Sequence, residues 1–211
     1  MDGWRKLSSP TLYPIIDADV CAQRGHDPLA LAEACLRGGA RVLQLRAKQA
    51  AGGAFLALAD ALVSATRPWD ALVIVNDRAD IARMAGAAGV HVGQDDLPVE
   101  DVRRLLPAPA IVGVSTHDAR QLDAALLSTA DYVAVGPIYG TATKDTGYDA
   151  GGLDLIRGAA GRGKPVVAIG GITLERAAAV AAAGAAALAV ISDLLAGDAE
   201  ARVRAYLEAI R

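Results

Sequence analysis

Apolar positions along the chain fall into eight short runs, at residues 12–17, 42–47, 71–75, 90–93, 111–114, 131–135, 165–169 and 187–191. Each run is brief and bounded by Gly, Pro, Asn or Asp, so each predicts a buried strand. Between the runs, apolar residues recur at helical spacing. Asp27-Pro28 supplies a side-chain cap and a first-turn proline, Leu29, Leu31, Ala32, Cys35 and Leu36 follow, and Gly38-Gly39 stops that helix. Similar patterns predict helices over 54–66, 79–85, 99–106, 119–127, 153–160, 174–183 and 199–210, with a longer polar loop over 138–152. Strand followed by helix, repeated with no linker or change of composition, predicts one α/β domain over residues 1–211, a single (β/α)8 TIM barrel. An open doubly wound sheet is the alternative, and it is weaker because eight regular units fill the length.

The second run changes character along its length. Side chains alternate faces on a strand, so Val42, Gln44, Arg46 and Lys48 share one face, and Leu43, Leu45 and Ala47 share the other. In a parallel sheet covered on both sides, both faces are normally apolar. An amide and two cations at the C-terminal end of such a strand therefore read as a site, not as a solvated edge. The other strand ends agree. They carry Asn76 and Asp77, then His91, Gln94 and Asp96, then Ser115 and His117, then Thr141, Thr143 and Lys144, and finally Gly170, Gly171, Ile191 and Ser192. The opposite ends offer no comparable set, and barrel active sites form at the C-terminal face.

Composition narrows what this site can hold. A formal net charge of −3 gives no general attraction to nucleic acid or anionic membrane, so any anion site must be local. Aromatic residues are only 4% of the chain, which suits close helix–sheet packing more than base stacking. No apolar run approaches a membrane span, and the first ten residues lack the apolar stretch of a signal peptide. The two cysteines, Cys21 and Cys35, have no metal-type spacing and point to reduced thiols in a cytoplasmic protein. A homodimer is among the states the sequence allows.

The chemistry follows from the residue types. Asp77 and Asp96 end neighbouring strands about 4.8 Å apart. Two hard oxygen donors without a Cys or His cluster suit Mg²⁺, whose open positions favour phosphate oxygens. Either carboxylate alone could equally cap the following helix. Arg46, Lys48 and Lys144 would repel a cation unless an anion lies between, and a diphosphate does so. Backbone N–H groups at Gly170-Gly171 and Ile191-Ser192 suit a monophosphate, as is common after the last two barrel strands. Two anion sites on one rim imply the joining of two phosphorylated molecules with loss of pyrophosphate. His117 sits two positions from Ser115, but no third member of a nucleophilic triad is evident. His91 lies inside a strand and reads as a hydrogen-bonded core histidine.

Several of these segments together resemble thiamine-phosphate synthases: residues 12–17, Gln44-Leu45-Arg46-Ala47-Lys48, Asn76-Asp77-Arg78, residues 89–94 with Asp96, residues 113–117, Gly136 through Lys144, and Ala168-Ile169-Gly170-Gly171-Ile172. The resemblance covers nearly the whole chain in order. It implies an enzyme of thiamine biosynthesis, a transferase that condenses hydroxymethylpyrimidine diphosphate with thiazole phosphate, with or without a ring carboxylate, in the presence of Mg²⁺. It implies that Gln44, Arg46, Lys48, Asn76 and Lys144 hold the pyrimidine diphosphate and that Ser115 contacts the diphosphate. Asp77 and Asp96 would bind Mg²⁺, and Thr141, Thr143, Gly171, Ile191 and Ser192 would hold the thiazole phosphate. Catalysis would rest on Arg46, Lys48, Ser115 and Lys144. One departure stands out: the family commonly has Glu where this chain has Ala47. A thiazole tautomerase and a phosphate-ligand sensor on the same barrel are the rival readings. Neither accounts for the paired carboxylates together with the diphosphate cations.

Overall fold

A computed structural model describes residues 10–140 and 147–211. Its strands are β1 (Thr11–Asp17), β2 (Val42–Arg46), β3 (Leu72–Asn76), β4 (Gly89–Val92), β5 (Ile111–Thr116), β6 (Tyr132–Val135), β7 (Val166–Ile169) and β8 (Ala187–Val190). They pair in parallel in sequence order, and β8 returns to β1, closing the barrel. The helices are α1 (Ala18–Gln23), α2 (Pro28–Gly38), α3 (Gly52–Thr66), α4 (Ala79–Ala85), α5 (Val99–Leu105), α6 (Ala119–Leu127), α7 (Gly152–Ala159), α8 (Leu174–Ala182) and α9 (Ala199–Ala209). The eightfold alternation read from the sequence is therefore present, with element ends displaced by a residue or two.

Three short elements were not foreseen, one of them a 3-10 turn at Arg67–Trp69 after α3. Helix α1 is a short helix directly after β1, capped by Asp17, whose side chain accepts from the backbone N–H of Asp19 and Val20. A 3-10 turn, Ser192–Leu195, follows β8. All three are too short to leave a periodic signal in sequence. Among the described residues, no helix is long and apolar enough to cross a membrane.

The core has two parts, as strand alternation requires. Leu43, Leu45 and Ala47 belong to the larger cluster between sheet and helices. Val42 joins Tyr13, Ile15, Ile74, Ile111 and Tyr132 in a smaller cluster within the barrel. Large and small residues complement one another there. A Cβ built on Gly113 would lie 1.9 Å from Cζ of Tyr132, so the glycine is what admits that ring. The side occupied by Ala47 faces away from the barrel interior, so the missing Glu removes no inward ligand.

Candidate active site

The loop after β1 fixes the end of β2. Parallel register sets Asp17 beside Arg46 and Ile15 beside Gln44. Arg46 Nη1 donates to Asp17 Oδ2 at 2.5 Å, while the other oxygen of Asp17 caps α1. The Asp17 side chain is 1% exposed and that of Arg46 17%. A carboxylate this deep is tolerable because its lone pairs are taken by a cation and by backbone donors. Asp19 Oδ2 accepts from the backbone N–H of Lys48 at 2.9 Å, so the next carboxylate holds the backbone carrying the next cation. The ammonium of Lys48 pairs with the carboxylate of Asp77.

Asp77 follows β3 with a left-handed backbone, φ 64°, and its N–H donates to the carbonyl of His91 at 2.7 Å. Asp is among the few residues that adopt this conformation without a large penalty. Burial raises the Asp77 carboxyl above its ordinary pKa, and the adjacent Asp96 raises it further, against the opposing pull of Lys48. Asp96 Oδ2 accepts from the N–H of Gly93 at 2.7 Å. Two carboxylates this close hold more negative charge than one lysine offsets. A hard divalent cation fits such a donor set, with most of its coordination left to water and phosphate oxygens.

Beneath these charged groups lies a row of hydrogen bonds through the barrel. Gln44 Nε2 donates to the Tyr13 hydroxyl at 3.2 Å, and the hydroxyls of Tyr13 and Tyr132 are 3.2 Å apart. Tyr132 OH lies 2.9 Å from His91 Nδ1, and His91 Nε2 lies 2.9 Å from Ser115 Oγ. Burial pushes both phenols well above their ordinary pKa, so they stay protonated. Gln94 Nε2 donates to the Ser115 carbonyl at 2.6 Å, securing the end of β5. His117 turns elsewhere: its Nδ1 donates to the Gly136 carbonyl at 2.5 Å, and its ring stacks on Tyr148, centroids 4.5 Å apart.

Arg46, Lys48, Asn76, Asp77, Asp96 and Ser115 line one cavity of about 240 Å³, joined by His91, Gln94, His117 and Tyr148. Gln44 is buried on the same face of β2, at 3% exposure. Gly171, Ile191 and Ser192 lie after β7 and β8, outside the described lining of that cavity. Gly170 and Gly171 have φ of 99° and 60°, and a Cβ on Gly171 would lie 2.6 Å from the Gly140 carbonyl oxygen. The turn thus needs glycine both for its conformation and for its close approach to the loop after β6. Arg176 Nη1 donates to the Gly171 carbonyl at 2.7 Å, and Arg24 Nη1 to the Ser192 carbonyl at 3.2 Å, so both turns are braced from outside. Thr141, Thr143 and Lys144 lie outside the described residues.

Sequence reasoning did not anticipate Asp17, Tyr13, Tyr132 or Tyr148 at this site. Asp17 and Tyr13 are on the inward face of β1, two positions either side of Ile15, and that alternation was a usable signal. Tyr132 alternates with Ala134 on β6 and carried the same signal, whereas Tyr148 left none. His91, read as a hydrogen-bonded core histidine, is one, and it, not His117, meets the Ser115 hydroxyl.

Comparisons with known proteins identify the family. The family model for thiamine monophosphate synthase matches residues 12–194. The thiamine-phosphate synthase of Anaeromyxobacter dehalogenans (strain 2CP-C) is 45% identical over an alignment of 215 positions, gaps included, covering 94% of this chain and 96% of that protein. That of Laribacter hongkongensis (strain HLHK9) is 41% identical and covers 98% of each. The solved thiamine phosphate pyrophosphorylase from Pyrococcus furiosus aligns with a TM-score of 0.86 at 30% identity, over 95% of both chains. Phosphoribosyl anthranilate isomerase from Thermotoga maritima, at 14% identity and a TM-score of 0.66, shares the fold alone. The chain belongs to the thiamine monophosphate synthase family, and its activity is the transfer that forms thiamine phosphate.

Proposed function

We propose that the cavity holds the diphosphate of hydroxymethylpyrimidine diphosphate between two groups of opposite charge. Arg46, Lys48 and Ser115 would bind its oxygens on one side, with Lys144 joining them from the loop after β6. Asp77 and Asp96 would hold Mg²⁺ on the other, with Asn76 beside them. Gln44 would face the pyrimidine ring. The thiazole phosphate would rest on the backbone at Gly171, Ile191 and Ser192, with Thr141 and Thr143 as further binding residues. The observation that carries this reading is the enclosure of Arg46 and Lys48 with Asp77 and Asp96 in one cavity.

The bond between the pyrimidine methylene carbon and the diphosphate oxygen breaks, and its electron pair leaves with pyrophosphate. The thiazole nitrogen then donates its lone pair to that carbon, forming the C–N bond. No protein nucleophile is required. Arg46 and Lys48 offset charge on the departing group, and the barrel rim keeps the two rings in line. When bound, the cation supplies further neutralisation of the leaving group. Buried free thiols suit a reducing compartment, and we place the activity in the cytoplasm.

The test is to mix the protein, Mg²⁺ and both substrates and to assay thiamine phosphate and pyrophosphate. Asp96→Ala is expected to fold normally by circular dichroism and to lose turnover on the order of a hundredfold. Near-normal turnover of that variant at limiting Mg²⁺ would remove the metal assignment.

A further inference from the structure

The row from Gln44 to Ser115 has a direction. An amide nitrogen can only donate, so Gln44 Nε2 obliges the Tyr13 hydroxyl to accept. The proton of Tyr13 is then available to the Tyr132 oxygen, and the proton of Tyr132 to His91 Nδ1. A ring nitrogen that accepts carries no proton, so neutral His91 is protonated on Nε2. That N–H points at Ser115 Oγ. With its oxygen accepting from His91, the serine directs its own O–H away from the histidine, into the cavity it lines.

We propose that Gln44, Tyr13, Tyr132 and His91 form a polarised chain that fixes the His91 tautomer and thereby aims the Ser115 hydroxyl at the leaving group as a donor. His91 is a positioning residue in this scheme, as are the two tyrosines. The chain spans strands β1, β2, β4, β5 and β6, so it also joins the amide that faces the pyrimidine to the hydroxyl that faces its diphosphate. The inference rests on the proposed contact between Ser115 and the diphosphate. Turning the Gln44 amide over would reverse every donor. His91 would then carry its proton on Nδ1, and Ser115 would spend its hydroxyl on the histidine. The two arrangements have the same heavy-atom distances and opposite consequences for the leaving group.

Nitrogen NMR of the full chain labelled with ¹⁵N-histidine separates them. The chain has three histidines. His117 is an internal reference of the other kind, because its Nδ1 faces a carbonyl oxygen and must bear the proton. His26 is exposed, giving an averaged signal. At about pH 8, where an ordinary histidine is neutral, we expect His91 as Nε2–H and His117 as Nδ1–H. A proton on Nδ1 of His91, alone or together with Nε2, would overturn the proposal, and this needs no variant. Tyr132→Phe then interrupts the chain while leaving a ring stacked on His91. It should mix the two His91 tautomers and lower kcat by about five- to tenfold, the scale of one hydrogen bond, with KM for thiazole phosphate unchanged. Unmoved His91 signals in Tyr132→Phe would also refute the proposal, and Tyr13→Phe serves if that variant does not fold. Ser115→Ala with undiminished turnover would instead dismiss the diphosphate contact and leave the chain's polarity standing.

Discussion

Replacing Asp17 tests how the barrel holds Arg46. The side chain does two tasks at once: Oδ1 caps α1 through the N–H groups of Asp19 and Val20, and Oδ2 takes Nη1 of Arg46. Asp17→Asn keeps an oxygen for the cap but turns an NH₂ group toward the guanidinium, so donor meets donor. Removing one partner of a fully buried ion pair costs about 3–5 kcal/mol. Asp17 is 1% exposed, but Arg46 at 17% retains some hydration. We therefore expect about 2–3 kcal/mol for Asp17→Asn. Asp17→Ala should cost about 1 kcal/mol more through the lost cap. Urea unfolding followed by circular dichroism measures both. With the Arg46 side chain released from Asp17, KM for the pyrimidine diphosphate should rise by about tenfold, the scale of one charge-assisted hydrogen bond, while KM for thiazole phosphate stays put. An Asn variant within about 0.5 kcal/mol of the parent would show that the pair contributes nothing net. Equal losses in the Asn and Ala variants would show that the cap does not matter.

Asp77 gives a pH-dependent prediction. Its carboxyl is raised in the folded protein, so ionising it costs the native state more than the unfolded one. That penalty is absent below the unfolded carboxyl pKa of about 4 and grows as pH rises through the folded value. Asp77→Asn, which tolerates the same positive φ, should therefore raise the melting temperature at neutral pH in the absence of Mg²⁺. The advantage should vanish on acidification, while activity is lost; an advantage independent of pH would contradict the reading. Gly113→Ala drives a Cβ into the Tyr132 ring and should cost about 1–3 kcal/mol or more in chemical unfolding; a neutral result would mean that the ring can move aside. Burial pushes the thiol of Cys21 up to about 11 and that of Cys35 up to about 12. Alkylation followed by mass spectrometry should find both slow in the native protein and fast in denaturant, and rapid native labelling of Cys35 would refute its burial.

The barrel itself was legible because its signals are local. A strand alternates its faces whatever it packs against, so Gln44, Arg46 and Lys48 could be assigned to the inside and Leu43, Leu45 and Ala47 to the helix layer from seven consecutive residues. The same holds for Asp77 and Asp96, which follow strands whose apolar runs mark their ends. Helix α1 was missed because its cap, Asp17, closes a strand and its few residues complete too little of a helical period. The contacts that tune the site were beyond the sequence for a different reason. Asp17 meets Arg46 only through the β1–β2 register, and Tyr13 meets Tyr132 across 119 positions. Ser115 pairs with His91 on the neighbouring strand, 24 residues away, and not with the histidine beside it in sequence. Closing eight strands into a ring sets those neighbours, because register and closure together decide which inward side chains share a layer. The amino-acid order determined which residues face inward; only the closed barrel decided which of them touch.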